Sequence, residues 1–104
     1  MEKTINPVEI FQKEAPEVAG AFFKMVESLG SLKTISPKMQ QLYIIAVRAA
    51  QGDIEALYTH VPMAKNFGAT REEVKDVLVL TVIICGVQAI MNCMPKALEI
   101  YDRA

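Results

Sequence analysis

The sequence offers little to a metal ion or a nucleic acid. It holds one histidine, His60, and two cysteines, with no cluster of acids at ligand spacing, so no metal ligand set is expected. Its 11 basic and 12 acidic residues leave a net charge of −1 and no basic patch, which argues against nucleic-acid binding. No stretch alternates apolar and polar residues for long, and no Asn-Gly hairpin signal occurs, so strands are not expected. Internal repeats, linkers and low-complexity segments are lacking as well. Residues 1–6 contain no apolar core, so no export leader is expected, and a cytoplasmic setting with reduced thiols is.

Charge itself is scarce. Only 22% of the residues are charged while 52% are hydrophobic. A chain of 104 residues has room for one core, so a single domain over residues 1–104 is expected. The surplus of apolar residues suggests burial between subunits. Residues 77–94 carry no charge at all, close to the lower length limit of a spanning helix. Thr81, Gly86, Gln88 and Asn92 interrupt the run and Pro95 closes it. A helix buried on two sides in an oligomer is therefore expected, and no membrane span. Cys85 and Cys93 lie in this run; on one continuous helix they would be about 12 Å apart along the axis. A disulfide needs Cα atoms within about 7 Å, so none is expected between them.

What is present is helix punctuation. Asn6-Pro7-Val8-Glu9 reads as a cap, a first-turn proline and an acid, and Pro16 should stop that helix near Glu14. A second helix should run from Pro16 to about Leu29, with Val18, Phe22, Met25, Val26 and Leu29 on one face and Gly30 as its C′ residue. Ser36-Pro37 starts a third helix that ends at about Gln51, before Gly52. Its stripe is Leu42, Ile45, Ala46 and Ala49, widened by Tyr43, Ile44 and Val47, as for a helix contacted on two sides. Asp53 can cap a fourth helix running to about Asn66, with a kink or early break at Pro62. Thr70-Arg71-Glu72-Glu73 is a capping box for a fifth helix reaching about Cys85. A bend at Gly86 leads to a last helix that ends near Tyr101 and is kinked at Pro95. The fold class is all-α, with about six helices.

One stripe carries the polar chemistry. Asp53, Ala56 and His60 fall at roughly 0°, 300° and 340° around the fourth helix. His60 is the one side chain whose ordinary pKa lies near neutrality. Together with Gly52, Gly68-Ala69-Thr70-Arg71-Glu72-Glu73-Val74 and Cys85-Gly86-Val87, this order and spacing resembles the carboxymuconolactone decarboxylase family, which includes the AhpD-like alkylhydroperoxidases. The resemblance covers roughly residues 16–101. It implies an AhpD-like helical bundle, a homo-oligomer (commonly a trimer or hexamer), no cofactor, and a small organic acid or lactone as substrate. The peroxidatic branch carries Cys-x-x-Cys-x-x-x-His and a Glu relay on the preceding helix. Here the two Cys positions read Asp53 and Ala56, and the relay position reads Gln41. Without thiolates that chemistry fails at this place. Gly52, Glu55, Leu57 and His60 fit the decarboxylase branch better, although the basic residue that often follows the His by two positions is Pro62.

Each candidate residue has a plain structural alternative. His60 is either a general acid/base, here the proton donor to an enolate, or a half-buried ring bonded to a carbonyl. Glu55 and Tyr58 are lesser catalytic candidates. Glu55 lies about 140° around the helix from His60 and fits a solvated face; Tyr58 and Tyr43 fit packing positions with a wet tip. Among substrate-binding candidates, Arg48 is the nearest cation for a carboxylate. Gln41 can hydrogen-bond a ligand but cannot exchange protons. Asp53 shares the His60 stripe, yet about 10 Å of rise separates them, so an N-cap role competes. Cys85 reads as packing. A redox role for Cys93 would need a partner thiol from another subunit. Three readings follow: a decarboxylase, a binding oligomer that has lost the chemistry, and thiol redox chemistry at Cys85 or Cys93.

Overall fold

The computed structural model describes residues 6–104; the absence of a leader read from residues 1–6 falls, apart from Asn6, outside them. The chain divides into two compact units, one ending at Lys33 and the other Thr34–Ala104. Among the described residues there are six helices of eight residues or more, one four-residue helix and one 3-10 turn, with no strand. The all-helical expectation therefore holds.

The first unit contains α1 (Pro7–Glu14) and α2 (Pro16–Ser28), followed by a 3-10 turn at Leu29–Ser31. Asn6 Oδ1 accepts from the Val8 and Glu9 amides at 3.0 and 3.3 Å, satisfying two donors that the first turn leaves free. Ala15, before Pro16, leaves helical geometry at φ −142° and ψ 65°, and the two helices part there. Phe22 packs edge to face on Phe11 and on Phe23, with centroids 5.8 and 5.0 Å apart, and Phe11 and Phe23 are tilted at 6.2 Å. Ala19 is the one buried residue of these two helices. The expected inner face, Val18, Phe22, Met25, Val26 and Leu29, is exposed. Gly30 is not the left-handed C′ residue expected. α2 ends by tightening into the 3-10 turn, and Gly30 is not among the glycines at positive φ.

The second unit is built from α3 (Pro37–Ala50), α4 (Ile54–Asn66), α5 (Arg71–Leu80), α6 (Val82–Cys85) and α7 (Gln88–Arg103). α3 packs on α4 and α5, and α7 lies against α3, α4 and α5. Leu42, Ile45, Leu57, Val61, Val74 and Leu78 form its core with Cys93. The helix starts are satisfied by the residues read as caps. Ser36 Oγ accepts from Met39 N at 3.2 Å and Asp53 Oδ1 from Ala56 N at 3.1 Å. Thr70 and Glu73 close the reciprocal capping box at 3.1 and 2.9 Å. Lys65 Nζ donates to the carbonyls of Tyr101 and Ala104 at 2.9 and 3.0 Å, placing a cation at the C-terminal end of α7.

α4 and α7 run through Pro62 and Pro95, so the early break allowed for at Pro62 does not occur. The carbonyls these prolines free belong to Tyr58 and Met91, both exposed, so water can satisfy them. The fifth helix stops at Leu80 rather than near Cys85. Thr81 turns its hydroxyl back onto the Leu78 carbonyl at 2.6 Å, and such back-bonding favours a bend. The uncharged run 77–94 is thus not one helix buried on two sides but parts of three helices. Tyr43 and Val47, expected to widen a buried stripe, are exposed as well. Among the described residues no helix is long and apolar enough to cross a membrane.

Gly86 sets the sharpest of these turns, with φ 75° and ψ −161°, a backbone region that essentially only glycine occupies. A Cβ there would meet nothing within 4 Å, so the constraint is conformational and not steric crowding. Gly86→Ala should destabilise the chain by about 1–3 kcal/mol. Urea unfolding reads this, and an unchanged midpoint would contradict it.

Candidate functional site

The site starts at the turn between α3 and α4. Gly52, at φ 75°, lets the chain close a Schellman motif: Asp53 N donates to Arg48 O at 2.9 Å and Gly52 N to Ala49 O at 3.0 Å. The next helix therefore folds back along α3. Arg48 Nη1 comes within 3.6 Å of Asp53 Oδ2 and donates to Gln51 Oε1 at 3.1 Å. Seven residues further along each helix, Gln41 on α3 meets His60 on α4: His60 Nδ1 lies 2.7 Å from Gln41 Oε1. Each pair joins α3 to α4 or to its cap Asp53, two helical turns from the other, as an antiparallel hairpin requires.

With Gln41 Oε1 turned to the ring, Nδ1 is the donor of this bond, since a carbonyl oxygen only accepts. Nε2 is left with a lone pair. It has no hydrogen-bond partner among the described residues, and no buried side-chain nitrogen or oxygen there lacks one, so Nε2 reaches solvent. Burial lowers the His60 pKa from 6.5, the Arg48 charge adds to this, and Asp53 opposes it. The resting ring is neutral near pH 7. A neutral ring with an unpartnered Nε2 can take up a proton at that nitrogen.

Burying the neutral ring has a consequence for stability. In the unfolded chain His60 takes up a proton near pH 6.5, while in the fold it does so at lower pH. The unfolded state therefore binds more protons below about pH 6.5, and stability should fall as pH drops through that window and stay level above it. His60→Phe should remove this slope between pH 7 and 5 in urea titrations; an unchanged slope would contradict the assignment. Gln41→Glu should do the reverse to the ring. A carboxylate beside Nδ1 favours the imidazolium, so the His60 pKa should rise, as read by NMR titration.

The remaining candidates are dispersed. Gln41 is nearly buried, at 9% exposure, and holds His60. Asp53 caps α4 and holds Arg48, so the nearest cation is already paired with an acid of its own chain. Glu55 is exposed, and no bond brings it to His60. The Tyr58 hydroxyl lies beside the Lys96 ammonium on α7, away from the Gln41–His60 bond. Among the described residues no group of three or more His, Cys, Asp or Glu side chains could hold a metal.

A cleft of about 170 Å³ opens at the same α3–α4 turn. Ala49, Gln51 and Gly52 at the end of α3 face Cys85, Gln88 and Asn92 across it, and Cys93 also lines it. None of the six candidate residues does. Both thiols are free, and they share this cleft because the chain turns at Gly86; the continuous helix assumed from sequence does not exist. Burial pushes the Cys93 thiol up, with Asp53 and Cys85 adding to it, so its thiolate is scarce at neutral pH. Sequence spacing did not reveal this cleft, whose walls are mostly alanines and neutral amides.

Comparison with known proteins agrees with the punctuation. The profile of the carboxymuconolactone decarboxylase family matches residues 16–99. The chain belongs to this family. Among its relatives in Methanocaldococcus jannaschii, the uncharacterized protein MJ1511 is 30% identical over 93 residues, covering 89% of this chain and 87% of the relative. The uncharacterized protein MJ0742 is 28% identical over 93 residues, covering 88% of each chain. The matched region spans the whole Gln41–His60 hairpin, and in this member of the carboxymuconolactone decarboxylase family an amide, not an acid, holds the histidine.

Proposed function

We propose that this chain is a proton-transfer enzyme of the carboxymuconolactone decarboxylase type, acting on a small organic acid or lactone through His60. The observation that supports it most is the 2.7 Å bond from His60 Nδ1 to Gln41, which leaves Nε2 as an accessible base. The proton balance closes without a cofactor. Nε2 takes a proton from the substrate's own carboxyl group or from solvent. The carboxylate loses CO2, the electron pair of the broken C–C bond becomes an enolate, and the imidazolium returns the proton to carbon. Arg48 is the cation for the substrate carboxylate, exchanging its Asp53 partner for it.

A second reading is a binding protein without catalysis. It draws on the cleft, whose neutral lining does not include His60. CO2 release and solvent-deuterium incorporation distinguish the two, measured over a panel of carboxylated lactones and β-keto acids with no added cofactor. Turnover of a panel member into CO2 and a deuterated product supports the enzyme. A folded protein that releases no CO2 and incorporates no deuterium with any of them supports the binding reading.

A further inference from the structure

The cleft at the α3–α4 turn is polar without being charged. Its volume of about 170 Å³ exceeds the ~150 Å³ of an apolar cavity that admits benzene. Three carboxamides line it, those of Gln51, Gln88 and Asn92, and no acid or base does. Burial pushes the Cys93 thiol up, which keeps that part of the wall uncharged as well. The two walls differ in sense. α3 ends at one of them, and the Gln51 carbonyl there accepts no backbone bond among the described residues, so this wall carries the negative end of the α3 dipole. α7 begins at the other wall, and no side chain caps it, so its positive end stands there. The guanidinium of Arg48 only donates, so Gln51 turns Oε1 to it at 3.1 Å and keeps its NH2 group as a donor. The Gln88 and Asn92 carboxamides, one turn apart on α7, have no partner among the described residues.

We propose that this cleft binds a small uncharged molecule with an amide-type pair, a C=O acceptor beside an N–H donor: a carboxamide, a lactam or a ureide. A charged ligand would shed its water against walls that offer no counter-ion. A hydrocarbon would strip water from the carboxamides and give nothing back. An amide meets both conditions. Its C=O turns toward the start of α7 and its N–H toward the end of α3, along the two dipoles. Ala49, Ala50 and Ala89 supply the apolar contact for the rest of it. This gives the binding reading a ligand class. It rests on the cleft and not on a lack of catalysis, so it holds whether or not His60 transfers protons.

The test is a ¹H–¹⁵N NMR titration of the full chain with three probes of one shape: benzamide (uncharged), benzoate (anionic) and benzamidine (cationic). Each has about nine heavy atoms, so at ordinary ligand efficiency the dissociation constant is roughly 10 mM or tighter. Benzamide should shift the Gly52 and Ala89 amides and the Gln88 and Asn92 side-chain NH2 groups to saturation. It should bind at least about tenfold tighter than either ion. Asn92→Asp, isosteric and at an exposed position, puts a carboxylate into the lining. Benzamide should then weaken by at least about fivefold, and benzamidine should gain. Ala50→Leu, outside the core, fills the cleft and should remove saturation; it serves if Asn92→Asp fails to fold. Shifts that stay linear beyond that range, equal affinity for the three probes, a tighter ion, or unchanged benzamide binding in a folded variant would overturn the proposal. Failure here would leave the reading at His60 intact, since CO2 release judges that one.

Discussion

His60→Ala lowers the rate of proton transfer to or from carbon by about 10²–10⁴-fold, the usual contribution of a placed general acid/base. The variant should stay folded, since His60 lies at the edge of the core and is only half-buried. The wild-type pH profile carries the sign of the mechanism. The resting ring is neutral near pH 7, and its pKa lies below the ordinary 6.5. In the proposed step the imidazolium returns the proton to carbon, so the rate should rise as pH falls toward that lowered pKa. A profile that is level near neutrality and falls as pH drops through it would mean that the neutral ring acts as a base on carbon, and would contradict the donor step. Glu55→Gln, on the exposed side of α4, should change the rate by less than about tenfold, well short of the loss expected for a placed acid/base. If the two variants lose equal activity, the geometry assigned to His60 is wrong.

Leu57→Ala should cost about 2–5 kcal/mol of stability, combining lost transfer energy with the cavity left behind. Leu57 is fully buried on α4, within the core that holds Leu42, Ile45 and Val61. It lies one turn before His60, on the helix that presents the ring. Small domains have only about 5–15 kcal/mol in total, so the unfolding midpoint should drop by about 10 °C or more. Thr59→Ala, next to His60 but exposed, should stay within about 0.5 kcal/mol of wild type. Equal effects at the two positions, read by thermal unfolding, would contradict the packing described for α4.

What could be read beforehand was local. Asn6, Ser36, Asp53 and Thr70 each bond an amide two or three residues ahead, so their residue type and position suffice to place a helix start. Gly52 and Gly68 were legible for the same reason. What was missed depends on pairs distant in sequence or on the absence of a covering layer. The stop at Thr81 is one such case, since threonine occurs inside helices and only its back-bond marks the turn. The face of α2 reads as a core face by periodicity, yet a periodic stripe says only that something should cover it.

The site was half legible for the same physical reason. Asp53, Ala56 and His60 were placed on one stripe of α4, but the partners of that stripe come from α3. Once Gly52 folds the chain back, residues equally far from the Ala50–Gln51 peptide bond face each other. That rule pairs Arg48 with Asp53 and Gln41 with His60, and it was available from the sequence. Considering α4 alone left Gln41 as a possible ligand contact instead of the residue that fixes the ring. The cleft at Cys85 and Cys93 had no such signal, because it is created by the turn at Gly86.

The most direct test is a ¹⁵N NMR titration of the imidazole in the wild-type chain, which has one histidine. The account predicts a neutral ring at pH 7 with its proton on Nδ1 and an unprotonated Nε2, and a titration midpoint below 6.5. A proton on Nε2, or a ring still charged above pH 6.5, would contradict it and remove the accessible base on which the proposed chemistry rests.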